Sequence, residues 1–341
     1  MDKKTNVHVI MLDALTHSPF TEEFMGVENP AADYLATLED TIYAGSLGFS
    51  ENVPTKASWW ALFNLGQEES RPPGFFSGAT PSRLTVLLRR NDYSISTGFS
   101  GDYFGRYKGE YVDHYHRGGI PRLRHSLVCT MGKERLGFCS RFSQSVFVRI
   151  FEGTSADGIK RMNRKMSREW PDTVVDLIDR AERNAPGPLF SAFYIYSPIG
   201  HTSKDYRSGD AAMLEEYKEH FVNGAQRARR IIEKIDRLRK RYPGSIFIVS
   251  GDHGPYLSRT APEEDRRFIV LDQHGVALAL LNASNLCPWS RDWLARQRYL
   301  TPSRMLAASL ACNGESRRLT DHFTDNEEFI RFGESFASGA S

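Results

Sequence analysis

The sequence predicts an α/β fold with a mostly parallel central sheet flanked by helices. Four segments of strand length, residues 7–12, 189–196, 245–250 and 276–281, are almost continuously apolar. Such segments are typical of parallel strands that are covered on both faces. Stretches of helical periodicity separate them, and an alternation of strands with helices indicates a mostly parallel sheet.

The weaker elements follow the same alternation along the chain. A further strand is predicted over residues 93–97, and helices over residues 59–65, 82–90, 173–183 and 210–241. The longest of these helices is amphipathic and ends at a Tyr-Pro-Gly sequence, its apolar stripe being formed by Ile231, Ile232, Ile235 and Leu238. Its many basic residues are expected to face solvent.

Charge and hydropathy exclude some classes of protein. The 341 residues include 44 basic and 42 acidic side chains, so charge gives no support for nucleic-acid binding. No apolar segment approaches the roughly 20 residues that span a bilayer, and the first residues lack the apolar region of a signal peptide. Either the protein is cytoplasmic or the sequence is a soluble domain of a longer chain.

The four cysteines leave two interpretations open. None of them lies in a CxxC pair, which argues against a zinc knuckle. They form two regional pairs, Cys129 with Cys139 and Cys287 with Cys312. Two disulfides in an oxidising compartment would fit this arrangement, and so would four buried thiols.

Polar residues follow three of the predicted strands at the point where each strand ends. Asp13 follows the strand at 7–12, His201 lies in the loop after the strand at 189–196, and Asp252-His253-Gly254 follows the strand at 245–250. Ligands of open α/β sheets bind beyond the carboxyl ends of the strands. We therefore expect these separate segments to meet at one edge of the sheet.

The residue types at this edge suit a divalent cation. Carboxylate oxygen and neutral imidazole are standard zinc ligands and are also accepted by manganese, which makes Asp13, Asp252 and His253 candidate ligands. Gly254 would let the backbone turn close to a ligand. The alternative is ordinary turn chemistry, in which the aspartates cap local structure and His253 lies on the surface.

Thr55 precedes a predicted helix and is the candidate nucleophile. A hydroxyl at a helix N-terminus faces backbone N–H groups that would stabilise an attached phosphoryl group. A nearby metal would lower the pKa of the hydroxyl group. Thr55 could also be an ordinary N-cap, and Ser58 is a competing hydroxyl. His201 could donate a hydrogen bond to a phosphate oxygen or protonate a leaving alkoxide.

Taken in order, these motifs resemble the alkaline phosphatase/sulfatase superfamily over nearly the whole chain. The matching segments are residues 6–13, 54–66, 87–93, 200–201, 250–254, 274–280, 300–306 and 332–336. The resemblance implies a sulfatase-like catalytic core over residues 1–285, within which residues 105–157 are a possible insertion over the active site. Residues 286–341 would be a small C-terminal appendage, a helix and tail packing on the same core.

Two departures from the superfamily patterns narrow the expected chemistry. The C/S-x-P-S-R motif of formylglycine sulfatases is absent, since Thr55 begins a Thr-Lys-Ala-Ser-Trp sequence. Two-zinc phosphodiesterases have Asp-x-x-Gly-His, whereas this chain has Ser197 in place of that aspartate. A threonine nucleophile with a single metal is similar to the phosphoethanolamine and phosphoglycerol transferases, including lipoteichoic-acid synthase-like enzymes.

That resemblance implies a set of partners and roles. Thr55 would be both nucleophile and metal ligand beside Asp13, Asp252 and His253, with zinc or manganese as the metal and magnesium or calcium as alternatives. The donor would be a phospholipid head group and the acceptor an envelope glycan or lipid, at the periplasmic or extracellular face of a membrane. His201 would assist proton transfer, and His116 and Arg117 are candidates for holding substrate, as is His114.

Two other classes of function share these residues. A soluble phosphohydrolase, phosphodiesterase or sulfatase-like hydrolase would use water as the acceptor. A non-catalytic relative would bind a ligand and hold no metal.

Overall fold

The computed structural model describes residues 4–53, 55–66, 82–99, 112–117, 156–196, 199, 211–260, 266–312 and 319–337. Its centre is a seven-stranded sheet, with strands β1 Asn6–Leu12, β2 Thr41–Tyr43, β3 Ser94–Phe99, β4 His114–Arg117, β5 Leu189–Ile195, β6 Ser245–Gly251 and β7 Leu278–Leu281. The strand order across the sheet is β2-β7-β6-β1-β5-β3-β4.

Every strand pair from β6 to β4 is parallel, which confirms the prediction of a mostly parallel sheet. The exception is β7, which runs antiparallel to both β6 and β2. Its first residue, Leu278, pairs with Ser250 near the carboxyl end of β6. The chain between β6 and β7 therefore leaves and re-enters the sheet at the same edge.

Helices cover both faces because both faces of the inner strands are apolar. The first face packs against Pro30–Ala36, Ala156–Asn184, Ala211–Arg241, Arg266–His274 and Glu327–Ala337. The second face packs against Thr55–Phe63, Arg83–Arg90, Pro288–Ala295 and Pro302–Ala311. Short helical turns occupy Ser18–Phe20, Thr21–Met25, Gly45–Leu47, Leu257–Thr260 and Ala283–Asn285. None of the helices in the described ranges combines the length and apolar character that crossing a bilayer needs.

One helix differs from the prediction in its length. The helix expected over residues 173–183 spans Ala156–Asn184 and contains Pro171. Proline usually marks a boundary because it lacks the N–H for the helical hydrogen bond. Here the preceding side chain anchors the helix to the sheet, since the buried indole of Trp170 donates to the carbonyl oxygen of Tyr194 at 2.8 Å.

The C-terminal segment contains a helix that is buried over nine of its ten residues. Residues 302–310 of the helix Pro302–Ala311 are all buried, including Arg304. The Arg304 guanidinium donates to the carbonyl oxygen of Thr324 at 2.7 Å and lies 4.2 Å from the centre of the Tyr299 ring. These contacts hold the last described segment against the helix. The predicted boundary at residue 285, between the catalytic core and the C-terminal appendage, stays a prediction.

The cysteines and the proposed insertion are described only in part. A disulfide joins Cys287 to Cys312, with 5.5 Å between their Cα atoms. Cys129 and Cys139 lie outside the described residues. Within residues 105–157, the described portion is β4 with its two preceding residues and the first two residues of the helix Ala156–Asn184. β4 is the edge strand of the sheet beside β3.

Candidate metal centre and nucleophile

Two neighbouring strands deliver three buried ligand-type side chains to one point. β1 ends at Leu12 and β6 ends at Gly251, and these two residues pair across the strands. Asp13, Asp252 and His253 follow directly, each at most 1% exposed. One ligand atom from each lies within 4.8 Å of the others. The predicted convergence of these three residues is therefore present in the structure.

The backbone around these residues is closely packed. Ala14 adopts a left-handed conformation, with φ of 56°. Its N–H donates to Oδ1 of Asp252 at 3.1 Å, and the N–H of His253 donates to the same oxygen at 3.0 Å. A Cβ on Gly251 would lie 2.1 Å from the carbonyl oxygen of Leu15, so only glycine permits this approach. The loop after β1 and the loop after β6 are therefore held tightly against each other.

The orientation of the His253 ring favours metal binding. Its Nδ1 lies 2.7 Å from the carbonyl oxygen of Gly254, which can only accept a hydrogen bond, so Nδ1 carries the proton. In a neutral ring, Nε2 then presents its lone pair toward Oδ2 of Asp252 at 3.4 Å and Oδ1 of Asp13 at 3.8 Å. A carbonyl that holds the far nitrogen of the ring is the usual support of a metal-binding histidine.

The electrostatics of the cluster also fit a cation. Burial raises the pKa of Asp252; the adjacent His253 opposes that shift and Asp13 adds to it. Two buried carboxylates that face a lone pair are mutually repulsive unless positive charge lies between them. Two carboxylate oxygens and an imidazole nitrogen suit zinc or manganese.

Thr55 is the first residue of the helix Thr55–Phe63. The sequence had predicted that it lies at the N-terminus of a helix. Its Oγ1 lies 3.0 Å from Nε2 of His253, and the residue is 4% exposed. The hydroxyl therefore lies beside the three ligands and at the positive end of the helix dipole. This position makes Oγ1 of Thr55 a candidate fourth ligand atom at the start of a helix.

Ser58, the competing hydroxyl, has a different environment. Its Oγ lies 2.7 Å from the carbonyl oxygen of Asp252 and also contacts the carbonyl oxygen of Asn52. Ser50 Oγ lies 3.2 Å away. Ser58 thus connects the loop before Thr55 to the loop after β6 through main-chain carbonyl groups. This position favours a structural role for Ser58 over the role of nucleophile.

The other predicted site residues are farther away or outside the described part of the chain. His201 and Ser197 lie outside the described residues. His116 and Arg117 belong to β4, which is three strands from β1 and therefore about 14 Å away across the sheet. The ring of His116 lies 6.2 Å from that of Phe193. For Arg117, only the main chain belongs to the described part of the structure.

One buried carboxylate beside the site was not singled out by the motifs. Asp272 is fully buried, and its Oδ1 and Oδ2 accept the N–H groups of Leu257 at 3.0 Å and Ser258 at 2.7 Å. Burial raises the pKa of Asp272 to about 6. The sequence does hold a signal, since an acidic residue in the last turn of a helix opposes the helix dipole and needs another reason to be there.

Comparison with known proteins supports the fold. No family model matches the chain, and no curated protein matches it. Among solved structures, the chain is similar to the C-terminal periplasmic domain of EcEptC from Escherichia coli in complex with Zn, with a TM-score of 0.59 and 11% identity. That match covers 96% of this chain and 89% of the other.

Two further structures show the same likeness. The C-terminal periplasmic domain of phosphoethanolamine transferase EptC from Campylobacter jejuni matches with a TM-score of 0.50 and 9% identity, over 91% of this chain and 89% of the other. Phosphonate monoester hydrolase of Agrobacterium radiobacter matches with a TM-score of 0.51 and 12% identity, over 93% and 74%. The chain therefore has the alkaline phosphatase/sulfatase-like fold that its motifs predicted.

Proposed function

We propose that this chain is a metal-dependent enzyme acting on phosphate esters. More specifically, it transfers a phospholipid-derived head group, phosphoethanolamine or phosphoglycerol, to an envelope glycan or lipid through a phospho-threonine at Thr55. The observation that carries the proposal is the 3.0 Å contact between Oγ1 of Thr55 and Nε2 of His253 at a helix N-terminus. A hydroxyl in that position is placed for nucleophilic attack on phosphorus.

One divalent cation is part of the proposal. Asp13, Asp252, His253 and Thr55 would hold it, with zinc or manganese preferred over magnesium or calcium. When bound, the cation lowers the pKa of a coordinated hydroxyl and stabilises negative charge on phosphoryl oxygens. The Zn complex of the similar Escherichia coli domain supports zinc as the first metal to test.

The chain's own residues account for a balanced two-step transfer. In the first step, Oγ1 of Thr55 bonds to phosphorus as the bond from phosphorus to the diacylglycerol oxygen breaks. The hydroxyl proton of Thr55 passes to solvent, and the departing oxygen takes up a proton from His201, the proposed acid. In the second step an acceptor hydroxyl bonds to phosphorus as the bond to Oγ1 breaks; the acceptor's proton goes to His201, and Oγ1 regains a proton from solvent. Backbone N–H groups at the start of the helix stabilise the phosphoryl oxygens throughout.

The partners and location belong to the same proposal. A phospholipid donor and a glycan or lipid acceptor place the reaction at the periplasmic or extracellular face of a membrane. Support comes from the periplasmic domains of matching fold and from the Cys287–Cys312 disulfide, because such bonds persist in oxidising compartments. His116 and Arg117 are proposed to hold the part of the substrate farthest from the cluster.

The test is metal analysis combined with mass spectrometry of the Thr55 peptide. Purified protein should hold about one equivalent of zinc or manganese and, after incubation with phosphatidylethanolamine or phosphatidylglycerol, the Thr55 peptide should gain the head-group phosphate. Thr55→Ala should abolish incorporation and keep the fold, as checked by circular dichroism. Protein without a metal, or incorporation that persists in Thr55→Ala, would contradict the proposal.

Hydrolysis is the second candidate, and the fold of phosphonate monoester hydrolase favours keeping it. The same preparation separates the two. Release of free phosphoethanolamine or phosphoglycerol at a rate unaffected by added acceptor would identify water as the acceptor. Acceptor-dependent turnover would identify a transferase.

A further inference from the structure

The helix Arg266–His274 ends against all three loops of the candidate site. The helix lies in the connection from β6 to β7, which leaves and re-enters the sheet at the same end because β7 runs antiparallel to β6. Its last three residues and the following glycine, Asp272-Gln273-His274-Gly275, contact the loop after β1, the loop before Thr55 and the loop after β6. We name this four-residue segment the clasp.

The clasp holds the loop that carries Asp252 and His253. Both carboxylate oxygens of Asp272 accept backbone N–H groups, from Leu257 and Ser258. The carbonyl oxygen of Gln273 accepts the N–H of Gly254 at 3.0 Å. The carbonyl oxygen of Gly254 accepts the proton of His253 Nδ1, so the clasp holds, through the N–H of Gly254, the residue whose carbonyl group orients the imidazole.

The clasp also holds the loop that leads to Thr55. The carbonyl oxygen of His274 accepts the N–H of Ser50 at 2.8 Å, and Nδ1 of His274 donates to the carbonyl oxygen of Ser50 at 2.9 Å. Ser50 Oγ in turn donates to the carbonyl oxygen of Asn52 at 2.9 Å. Two hydrogen bonds to one residue fix both the position and the rotation of its peptide groups.

The third loop, after Asp13, meets the clasp at its final residue. Thr16 Oγ1 donates to the carbonyl oxygen of Gly275 at 2.9 Å, and the carbonyl oxygen of Leu15 accepts the N–H of Ala277 at 2.9 Å. The loops carrying Asp13, Thr55 and the Asp252-His253 pair come from distant parts of the sequence. The last turn of one helix, with the glycine that follows it, is therefore a common support for all three loops.

We propose that Asp272 and His274 are positioning residues with separable tasks: Asp272 sets the geometry of the metal-ligand loop, and His274 sets the position of the nucleophile. The inference rests on the proposed function, because it assigns the two tasks to metal binding and to attack by Thr55. In this proposal, neither residue touches the substrate or the cation. Side chains that orient a ligand from behind typically change metal affinity or activity 10–100-fold when replaced.

The first variant tests the metal-ligand loop. Asp272→Asn keeps the shape of the side chain, but its amide nitrogen cannot accept the second N–H group. We expect zinc affinity, measured by competition with a chromogenic chelator, to fall about 10–100-fold. In the metal-free protein, the amides of Leu257 and Ser258 should exchange with deuterium faster than in wild type.

The second variant tests the nucleophile loop. His274→Leu removes the donor to the Ser50 carbonyl, so the single-turnover rate of phospho-threonine formation should fall about tenfold or more, with zinc affinity changed less than about twofold. His274→Asn should recover most of the rate, because its side-chain amide places an N–H close to the position of Nδ1. Arg266→Gln, at the exposed start of the same helix, is the matched control and should leave both quantities unchanged.

The pattern of losses decides the matter. Parallel loss of zinc affinity and of phospho-threonine formation in both variants, with lowered thermal stability, would mean general destabilisation and would overturn the proposal. Unchanged exchange in Asp272→Asn, or no recovery in His274→Asn, would also overturn it. Wild-type protein that binds no zinc and forms no phospho-threonine would refute the proposed function instead, and the exchange measurement would still decide the role of Asp272.

Discussion

The buried imidazole of His17 should make the protein less stable in mild acid. The side chain is fully buried, and aromatic rings surround it, with the ring centres of Phe336, Phe20 and Phe49 at 5.5, 6.4 and 6.4 Å. Nδ1 accepts the N–H of Phe20 at 3.2 Å and so cannot hold a proton without breaking that hydrogen bond. Burial lowers the pKa of His17 to about 3.

The sign and size of the effect follow from this shift. A folded-state pKa far below the ordinary value of 6.5 means that the unfolded chain takes up the proton first. The stabilisation is complete above about pH 6.5 and declines as the pH falls toward 3. One proton in this interval lowers the free energy of unfolding by about 2 kcal/mol at pH 5 and about 3 kcal/mol at pH 4.

The matched variant is His17→Asn. Asparagine retains an acceptor for the N–H of Phe20, as a good N-cap, but it does not titrate. Urea unfolding of the metal-free proteins at about pH 7.5, 6 and 5 should show the stability of wild type falling by about 2 kcal/mol relative to the variant. Groups common to both proteins cancel in this difference. Parallel pH profiles for the two proteins would refute the reasoning.

Three further changes test other contacts. Gly254→Ala should abolish zinc binding in chelator competition and lower the free energy of unfolding in urea by about 1–3 kcal/mol, because the new Cβ would lie 2.0 Å from a main-chain carbonyl oxygen. Gly244→Ala is the control: its Cβ would meet no atom within 4 Å, so zinc binding and stability should stay unchanged. Replacing Cys287 and Cys312 together by serine should lower the free energy of unfolding by about 3 kcal/mol, since the disulfide joins residues 25 positions apart in the sequence. A reductant should cause the same loss in wild type and leave the stability of the variant unchanged. Glu182→Gln should lower the free energy of unfolding in urea by about 1–3 kcal/mol, because the carboxylate is hydrogen-bonded to the buried imidazole of His8 on β1 at 2.6 Å and an amide cannot satisfy all its partners. An unchanged unfolding midpoint would show that these hydrogen bonds contribute nothing to stability.

The inner strands could be predicted from the sequence because burial on both faces demands an unbroken apolar segment. β1, β5 and β6 are of this kind. β2 and β4 could not, since they contain three and four residues at the two edges of the sheet, and β4 is largely polar. Their conformation comes from pairing with a neighbouring strand, which no local pattern encodes.

The candidate site divides in the same way. Asp13, Asp252 and His253 were predictable because each follows an apolar strand, and parallel strands end at a common edge. Asp272 and His274 were not predictable, since Asp272 accepts backbone N–H groups 14 and 15 residues earlier and His274 donates to a carbonyl group 224 residues earlier. A contact between a side chain and a distant peptide group leaves no spacing pattern, and only the fold makes it visible.

The reversed direction of β7 has a consequence for how the site can diversify. A parallel β7 would require the connection to cross the sheet and return from the opposite end. With β7 antiparallel, the segment from Asp252 to Leu278 is anchored at the site by both ends. A change in length between Ser258 and the clasp costs little closure entropy, because both ends of that connection stay held at the site. Insertions or deletions there are therefore compatible with unchanged ligand positions.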